Sequence, residues 1–267
     1  MNIKRFLRTK IFLAFGFMSL LGTTNGQENS TGKKLIKSIM ILDIYREEIK
    51  IGLAGSDTAT IYFENGYSNI IPLFAEYTYF NHIFKQPLSA KIIGNKIIAM
   101  DCRDNFMPNL DISKNPELIE LNCYNNQLTS LDLSKNPSLT ILNCGMNRLT
   151  NLDVSKNPEL MKLYYEGSLR YKLSNLDISN NTKLTILECK NSLLKNLDIS
   201  KNSSLTELNC FGNSLIGLNI SKNTKLIKLQ CSNNQLNDLD VSKNTALKEL
   251  DCKRNQLTSL NVSKILH

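Results

Sequence analysis

The sequence predicts a mainly β fold in which eight coils of 21 residues stack into a solenoid with parallel strands, preceded by a small β-rich capping domain. Three observations support this prediction. Cysteine recurs at intervals of 21 residues from position 102 onward. Leucine and cysteine alternate with polar residues around each of these positions, which is the period of a strand with one buried side. Before the repeats, short apolar runs rich in β-branched and aromatic residues are separated by glycine, asparagine and proline, as strands are by turns.

The first 26 residues predict a signal peptide for Sec export. Four cations and no acid precede the apolar sequence IFLAFGFMSLL, and small or polar residues then lead to Gly26, the expected cleavage site. The apolar run is about half as long as a membrane-spanning helix. We therefore expect an exported protein without an integral membrane segment after cleavage, either secreted or at the cell surface, with the periplasm as an alternative. Residues 27–34 are polar and predict a flexible linker.

The charge of the chain argues against nucleic-acid binding. The formal net charge is +8, and the removal of the four cations of the signal peptide leaves +4 (8 − 4). The lysines of the mature chain recur at a fixed position of the repeat and do not form the concentrated basic stripe that a nucleic acid requires.

Residues 35–96 predict a small β-rich domain at the N-terminal end of the solenoid. Its candidate strands are LIKSIMILDI, EIKIGLA, TATIYFENG, NIIPLFAEYTYF and AKIIGNKI. An open end of a solenoid exposes apolar residues and unpaired strand groups, so a cap is needed there. At the other end, Ile265 stands where the repeat would have asparagine, and we expect that edge either to belong to a truncated relative or to be covered by a partner.

Residues 97–267 contain the repeats. The successive cysteines from Cys102 to Cys252 are separated by 21, 21, 45, 21, 21 and 21 residues. The interval of 45 holds two repeats plus three residues: Tyr165 takes the position of the missing cysteine, and the extra residues lie in EGSLRYKLSNLD. One repeat cannot bury its apolar side alone, so the coils must stack and share a core.

The alternation turns Leu121 and Cys123 inward and Glu120, Asn122 and Tyr124 outward. We expect the cysteines to be buried free thiols, because cysteine behaves as a small apolar residue. Disulfides and metal binding are the alternatives. Parallel Cβ vectors on neighbouring strands suit a disulfide badly, seven is an odd number, and the paired spacing typical of zinc ligands is absent.

The second half of each repeat nearly copies the first and is too short for a helix. We expect a flattened coil with a short strand or extended turn at LDLS on the side opposite the main strand. Asn126, Asn136 and their equivalents should lie at the turns, with their side-chain amides bonded to the backbone inside the bend.

The repeat L-x-x-L-x-C-x-x-N-x-L-x-x-L-D-[ILV]-S-K-N-x-x resembles the leucine-rich repeat family, with cysteine at the third leucine position. It is most similar to leucine-rich repeat proteins exported by Bacteroidetes-type bacteria, which are relatives of internalin-like surface proteins. The resemblance covers about 97–264 and implies a role in binding. The preceding domain is similar to the family's β cap through FENG and KIIGNKI, although FENG departs from the family's W-G-D-G turn. Asp57-Thr58-Ala59 resembles the short O-glycosylation signal of these bacteria.

The sequence lacks a catalytic pattern. His82 and His267 stand outside any metal-binding spacing, and no nucleophile motif or phosphate-binding glycine loop occurs. We therefore predict no catalytic residue, no metal and no cofactor. The second half of most repeats carries an aspartate at the D of L-D-[ILV]-S-K, and these aspartates form a column. We interpret the column as a solvated edge whose negative charge is balanced by the lysine three residues later. A column of calcium sites is the alternative. The members of the aspartate column are Asp111, Asp132, Asp153, Asp177, Asp198 and Asp240, with Asn219 and Asn261 in two coils.

The outward residues of the main strand vary from coil to coil, unlike the core. Exposed aromatic side chains on a rigid polar sheet are typical of binding hot spots. The predicted partner-binding residues are Tyr124, Tyr164, Phe211, Asn122, Asn143, Glu188, Asn209 and Gln230. We predict a non-enzymatic binding protein for a protein or glycan partner. The alternatives are a passive structural component of the cell envelope, and an enzyme or inhibitor activity in residues 35–96.

Overall fold

The computed structural model describes residues 38–44, 48–83 and 88–265. The predicted signal peptide and linker lie outside these residues, as does His267. The described chain forms thirteen strands and contains no helix. The strands are β1 (Ser38–Ile44), β2 (Glu48–Phe63), β3 (Ser68–Leu73), β4 (Thr78–Ile83), β5 (Leu88–Asp101), β6 (Leu110–Asp111), β7 (Glu120–Asn122), β8 (Ile141–Asn143), β9 (Lys162–Glu166), β10 (Ile186–Lys190), β11 (Glu207–Asn209), β12 (Lys228–Gln230) and β13 (Glu249–Asp251).

One sheet runs through the described chain. Its C-terminal part is parallel and follows the chain order from the end of β5 through β7 to β13. Its N-terminal part is antiparallel, and we name this part the N-terminal sheet. In it β2 pairs with β3, β4 and β5, and β1 pairs with β5 and β6. Since each parallel strand pairs with the equivalent residues of the next repeat, the chain forms about seven turns between eight strand segments. The predicted solenoid of parallel strands is confirmed.

The core lies between the two sides of the coils. Aliphatic side chains of the strand and of the opposite side are buried together, as are Leu142, Leu149 and Val154 in one coil. Burying a leucine side chain contributes about 1.5–3 kcal/mol, and stacking makes this burial continuous along the axis. The alternation of leucine and polar residues is therefore explained by one shared interior.

The cysteines form a column inside the core. All seven are free thiols; six are buried and Cys252, in the last coil, is half-buried. Removal from water raises the pKa of the Cys123 and Cys189 thiols to about 12, because burial disfavours the thiolate. The expected free thiols are confirmed. Tyr165 pairs in register with Cys189, is buried, and donates from its hydroxyl to the Leu149 carbonyl at 3.3 Å.

The three extra residues of the fourth coil form a turn at the edge of the solenoid. The Ser168 N–H donates to the Tyr171 carbonyl at 3.0 Å, which closes the turn, and the Leu169 side chain is 97% exposed. The insertion leaves the register of β9 and β10 intact. It therefore lengthens one bend without disturbing the stacking, as the position of the extra residues predicted.

Buried asparagines line both bends of the coils, as expected. At the bend after the strand, the Asn147 side-chain amide donates to the carbonyls of Cys123, Cys144 and Gly145 at 2.9, 3.1 and 3.2 Å, and its Oδ1 accepts from the Leu128 N–H at 3.0 Å. We name this series the first ladder; its members are Asn105, Asn126, Asn147, Asn213, Asn234 and Asn255, with Ser168 and Ser192 in the fourth and fifth coils.

The bend on the opposite side has its own series, which we name the second ladder. The Asn157 amide donates to the carbonyls of Leu133 and Asn136 at 3.1 and 2.9 Å. Its Oδ1 is buried and has no donor among the described residues. The members are Asn115, Asn136, Asn157, Asn181, Asn202, Asn223 and Asn244. Only Leu110–Asp111 on this side forms a strand in the described chain, and the other coils have turns there.

The N-terminal strands attach to the first coil through the first ladder. The Lys50 N–H in β2 donates to Asn105 Oδ1 at 3.1 Å, and the Asn105 amide donates to the Lys50 carbonyl at 2.9 Å. β2 thus takes the place of a preceding coil. FENG forms the turn that ends β2, where Gly66 adopts a φ of 86° that favours glycine. KIIGNKI lies within β5, which crosses the predicted boundary at 96/97 without a break.

The described residues contain no helix of the length and apolarity that a membrane span requires.

Candidate functional site

The outward side of the parallel strands forms a surface of three columns, which we name the strand face. Alternation along each strand places one residue of each column outward, and the parallel register aligns equivalent residues. The first column is Ala99, Glu120, Ile141, Lys162, Ile186, Glu207, Lys228 and Glu249. The second is Asp101, Asn122, Asn143, Tyr164, Glu188, Asn209, Gln230 and Asp251. The third is Arg103, Tyr124, Gly145, Glu166, Lys190, Phe211, Ser232 and Lys253.

All eight predicted partner-binding residues lie on the strand face. Six are neighbours in the second column: Asn122, Asn143, Tyr164, Glu188, Asn209 and Gln230. Tyr124 and Phe211 lie in the third column. The aromatic side chains are half-buried, not exposed as predicted, because neighbouring coils at strand spacing cover part of each ring. Each ring is therefore held in place and still presents surface to a partner.

A depression of about 290 Å³ lies on the strand face of the second to fourth coils. It is lined by Glu120, Leu121, Asn122, Ile141, Asn143, Lys162 and Tyr164. It brings together Asn122, Asn143 and Tyr164, while the other five predicted residues lie outside it. Glu120, Ile141 and Lys162 were missing from the prediction. Each lies two residues before a predicted residue, so the alternation of the strand could have identified them.

Local hydrogen bonds orient the amides of the second column. Asn122 Oδ1 accepts from the Tyr124 N–H at 3.3 Å. Farther along, the Asn209 amide donates to Gln230 Oε1 at 2.7 Å. Burial, together with the negative charges of Glu188, Glu207 and Glu120, raises the pKa of Tyr164, so its hydroxyl is protonated and available to donate.

Several charges of the strand face are paired within the chain. The Arg103 guanidinium donates to both oxygens of Asp101, at 2.9 Å from Nε to Oδ1 and 2.6 Å from Nη2 to Oδ2. Lys190 Nζ lies 3.0 Å from Glu188 Oε2 and 3.6 Å from Glu166 Oε2. In the last coils, Lys228 Nζ lies 2.9 Å from Glu249 Oε2. Of these pairs, Lys228 and Glu249 are exposed, and such a pair contributes little to stability, typically up to about 1 kcal/mol.

Aromatic residues from the N-terminal sheet border the first coil of the strand face. The Tyr79 hydroxyl donates to Asp101 Oδ2 at 3.2 Å, and Asp101 is only 3% exposed. Tyr77 stacks on Tyr79 with ring centroids 5.9 Å apart, and Lys50 Nζ lies 5.1 Å from the Tyr79 ring centroid. Burial, followed by the charge of Glu120, raises the pKa of Tyr77. These contacts could not be predicted from a local sequence pattern, since they arise from the pairing of β2 with both β4 and β5.

The aspartate column on the opposite side of the coils forms turns. In each case Oδ1 accepts from the backbone N–H of the serine two residues later, as in Asp132 to Ser134 at 2.9 Å. Asn219 and Asn261 make the same bond at 3.0 Å, which explains why asparagine replaces aspartate there. These bonds lower the pKa of five of the carboxyl groups: Asp132, Asp153, Asp177, Asp198 and Asp240. No group of three or more histidine, cysteine, aspartate or glutamate residues in the described ranges could hold a metal ion.

His82 lies on the N-terminal sheet among aromatic rings. Its ring stacks on Tyr67 at 4.8 Å and on Phe80 at 5.9 Å between centroids. The arrangement around His82 is that of a packed aromatic cluster.

The buried thiols have raised pKa values, Cys144 included, which is the opposite of what a nucleophilic cysteine needs.

Comparison with protein families and solved structures identifies the repeats. A family described as leucine-rich repeats (2 copies) matches residues 116–157. The functional domain of InlJ from Listeria monocytogenes, a structure described as including a cysteine ladder, is 40% identical to the matched region, with a TM-score of 0.61; the match covers 63% of this chain and 37% of that one. A search of curated proteins finds no significant match.

Two further structures support the fold. A leucine-rich repeat protein of Leptospira interrogans is 25% identical, with a TM-score of 0.52, over 58% of this chain and 42% of that one. Internalin C2 of Listeria monocytogenes is 18% identical, with a TM-score of 0.58, over 64% of this chain and 77% of that one. The present chain matches less than half of the length of the InlJ and Leptospira structures. It carries leucine-rich repeats and has an internalin-like fold.

Proposed function

We propose that this chain is a non-enzymatic binding protein that holds a protein partner on its strand face. The observation that supports this most directly is the depression beside Tyr164. It joins an aromatic ring, two amides, two charges and an isoleucine on one side of an otherwise regular solenoid. Aromatic residues in partly desolvated positions, surrounded by polar groups, are the usual composition of a binding hot spot.

The scaffold supports the proposal because it fixes these groups before a partner arrives. In six of the eight coils, a first-ladder asparagine such as Asn147 bonds the bend after the strand to the segment that precedes it. A surface that is ordered before binding loses less conformational entropy on association. In this proposal residues 35–96 act as the cap that protects the first coil, and residues 97–267 supply the binding surface.

The proposed setting is outside the cytoplasm. The pattern of residues 1–26 favours Sec export. The consensus sequence of the repeat favours a protein of the exported Bacteroidetes type. A surface-attached or secreted protein would bring the strand face into contact with proteins of another cell or of the envelope. An adhesive role is a more specific form of this proposal, and a glycan partner in place of a protein is its alternative.

The test compares the mature chain with a variant in which Tyr124, Tyr164 and Phe211 are replaced by alanine. Both are immobilised and used to capture partners from envelope and host-cell extracts, and the captured proteins are quantified by mass spectrometry. We expect the variant to lose the proteins that the unmodified chain retains. In a matched control, three exposed lysines on the opposite side are replaced by alanine: Lys135, Lys156 and Lys201. This control should still capture the same proteins as the unmodified chain.

Each outcome decides between the candidate functions. Identical captured material from the mature chain and the triple-alanine variant would contradict the binding-face proposal and favour a passive structural component. Binding to a glycan array that disappears in the triple-alanine variant would replace a protein partner by a glycan. Circular dichroism and thermal unfolding of every variant ensure that a loss of capture reflects the surface and not the fold.

A further inference from the structure

Five neighbouring strands carry an alternating series of charges and isoleucines in the first column of the strand face. The residues are Glu120, Ile141, Lys162, Ile186 and Glu207, and we name them the charge ladder. Their register is direct: Glu120 pairs with Ile141, Ile141 with Lys162, Lys162 with Ile186, and Ile186 with Glu207. The four steps of about 4.8 Å between neighbouring strands make the series about 19 Å long.

No ion pair among the described residues neutralises the charges of the ladder, although Glu120 lies near the Tyr77 hydroxyl and raises its pKa. Each isoleucine separates two charges by two strand spacings, about 10 Å between backbones, and the charged side chains do not bridge this distance. Lys228 follows Glu207 in the same column, but its Nζ binds Glu249 at 2.9 Å. Glu188, in the adjacent column, binds Lys190. Among the described residues, no ion pair involves Glu120, Lys162 or Glu207.

This pattern contrasts with the two ends of the strand face. Asp101 and Arg103 pair in the first coil, and Lys228 and Glu249 pair in the last two. The centre of the first column therefore offers charges of fixed order together with half-buried isoleucines and the depression next to Tyr164, while Lys190 pairs with Glu188 and Glu166 in the other two columns. Charges of defined order on a rigid surface determine which partner fits, since like charges brought together disfavour the wrong partner.

The spacing selects the secondary structure of a partner that lies along the ladder. Side chains on one side of a β-strand are about 6.7 Å apart and fall out of step with the coils after two residues. Side chains one turn apart on a helix are about 5.4 Å apart, close to the spacing between coils. Over the length of the ladder, a helix of about 14 residues rises about 21 Å and stays in step.

We propose that the strand face binds an amphipathic helix of a protein partner, aligned with the solenoid axis. The helix carries a basic residue at position i, an acidic residue at i+7 and a basic residue at i+14, with apolar residues one turn between them. The basic residues bind Glu120 and Glu207, the acidic residue binds Lys162, and the apolar residues cover Ile141 and Ile186. This inference rests on the proposed function of the strand face and names the chemistry of its partner.

The test uses two designed alanine-rich peptides of about 18 residues, a length that supports helix formation at low temperature. The first carries Lys, Leu, Glu, Leu and Lys at the ladder positions, and the second carries Glu, Leu, Lys, Leu and Glu. Each is titrated into the mature protein with labelled isoleucine methyl groups, and binding is followed by the NMR shifts of Ile141 and Ile186. The methyl group of Ile70, which is 69% exposed on the N-terminal sheet, serves as an internal reference.

The expected result is an exchange of specificity. The unmodified protein should bind the first peptide at least about tenfold more tightly than the second, and the variant Glu120→Lys/Lys162→Glu/Glu207→Lys should show the reverse order, as expected for complementary charges. A control variant, Glu117→Lys/Lys135→Glu/Asp238→Lys, changes the same number of exposed charges away from the strand face. It should keep the preference of the unmodified protein.

Equal affinity for both peptides, or shifts at neither Ile141 nor Ile186, would overturn the helix proposal. So would an unchanged preference in the variant with the reversed ladder. This failure can be told apart from a failure of the proposed function. If the triple-alanine variant loses the captured protein while the reversed-ladder variant keeps it, the strand face binds a partner but the charge ladder does not choose it.

Discussion

The two bends of each coil both contain a buried asparagine, yet they are held very differently. In the first ladder, the Asn147 side chain makes four hydrogen bonds, which satisfy both of its polar atoms. In the second ladder, Asn157 makes two and leaves its buried Oδ1 without a donor among the described residues. The bend beside the strand face is therefore the more firmly fixed of the two.

This difference matches the division of roles between the two sides. The strand side presents varied residues, and the asparagines of the first ladder hold the ends of six of its eight strands. The opposite side repeats nearly the same sequence in each coil, and its aspartates or asparagines form local turns, as in Asp132 to Ser134. The comparison indicates that the denser hydrogen bonding lies at the bend next to the strand face, whose outward side chains differ from coil to coil.

The largest effect should come from the core, which both sides share. We expect Leu163→Ala on the strand side and Leu152→Ala on the opposite side each to lower the free energy of unfolding by about 2–5 kcal/mol, because both remove buried methyl groups and leave a cavity. Urea unfolding monitored by circular dichroism measures both. A large cost on one side and none on the other would mean that the interior is not common to the two.

The asparagines should separate the two sides. Asn147→Ala leaves the Cys144 carbonyl and the Leu128 N–H without partners, whereas both carbonyls bonded by Asn157 keep a backbone N–H as donor. We expect the first substitution to cost about 3 kcal/mol, from the penalty for unpaired buried groups, and the second about 1 kcal/mol, from the loss of its hydrogen bonds. The same urea experiment compares them, and equal costs would contradict the ranking of the ladders.

The cysteine column tests whether the interior under the strand face is closed. We expect Cys252 to react first with a thiol reagent, since it is half-buried, and the six buried thiols to react only on global unfolding. Cys144→Ser should cost about 1–3 kcal/mol because it buries a hydroxyl in an apolar site, and Cys252→Ser should cost less. Rapid labelling of several thiols in the native protein would show that the column is accessible.

The smallest effect should come from the aspartates of the opposite side. The pKa values of Asp132, Asp153, Asp177, Asp198 and Asp240 are lowered mainly by hydrogen bonds to serine. A carboxylate with a lowered pKa stabilises the fold fully above the unfolded pKa of about 4, and the contribution is lost as the pH falls through the folded value. Unfolding measured from pH 7 to pH 2 should show this loss, and replacing the aspartates with asparagine should diminish it.

The outcome of that replacement has a natural precedent within the chain. Asn219 and Asn261 already form the same turn without a charge, so the variant should fold and should keep its stability at neutral pH. If its stability fell with pH as steeply as that of the unmodified protein, other carboxylates would have to carry the dependence.

Much of the fold was predictable because the repeat restates it eight times. The 21-residue period, the inward cysteines, the position of Tyr165 in the column and the asparagines of both bends are all local patterns, and the structure confirms them. The site was predictable in part. Six residues of the second column were predicted, whereas Glu120, Ile141 and Lys162 were not, although the alternation of the strand turns them outward as well.

The sequence by itself determined the period, the direction of each side chain along a strand, and the residues that form the core, since these depend on spacing within one repeat. Only the tertiary structure decided which outward residues become neighbours, because neighbours on the strand face are 21 or more positions apart and meet through stacking. It also decided that Lys50 of β2 completes the first ladder and that Tyr79 covers Asp101. These contacts follow from long-range strand pairing, which no local pattern encodes.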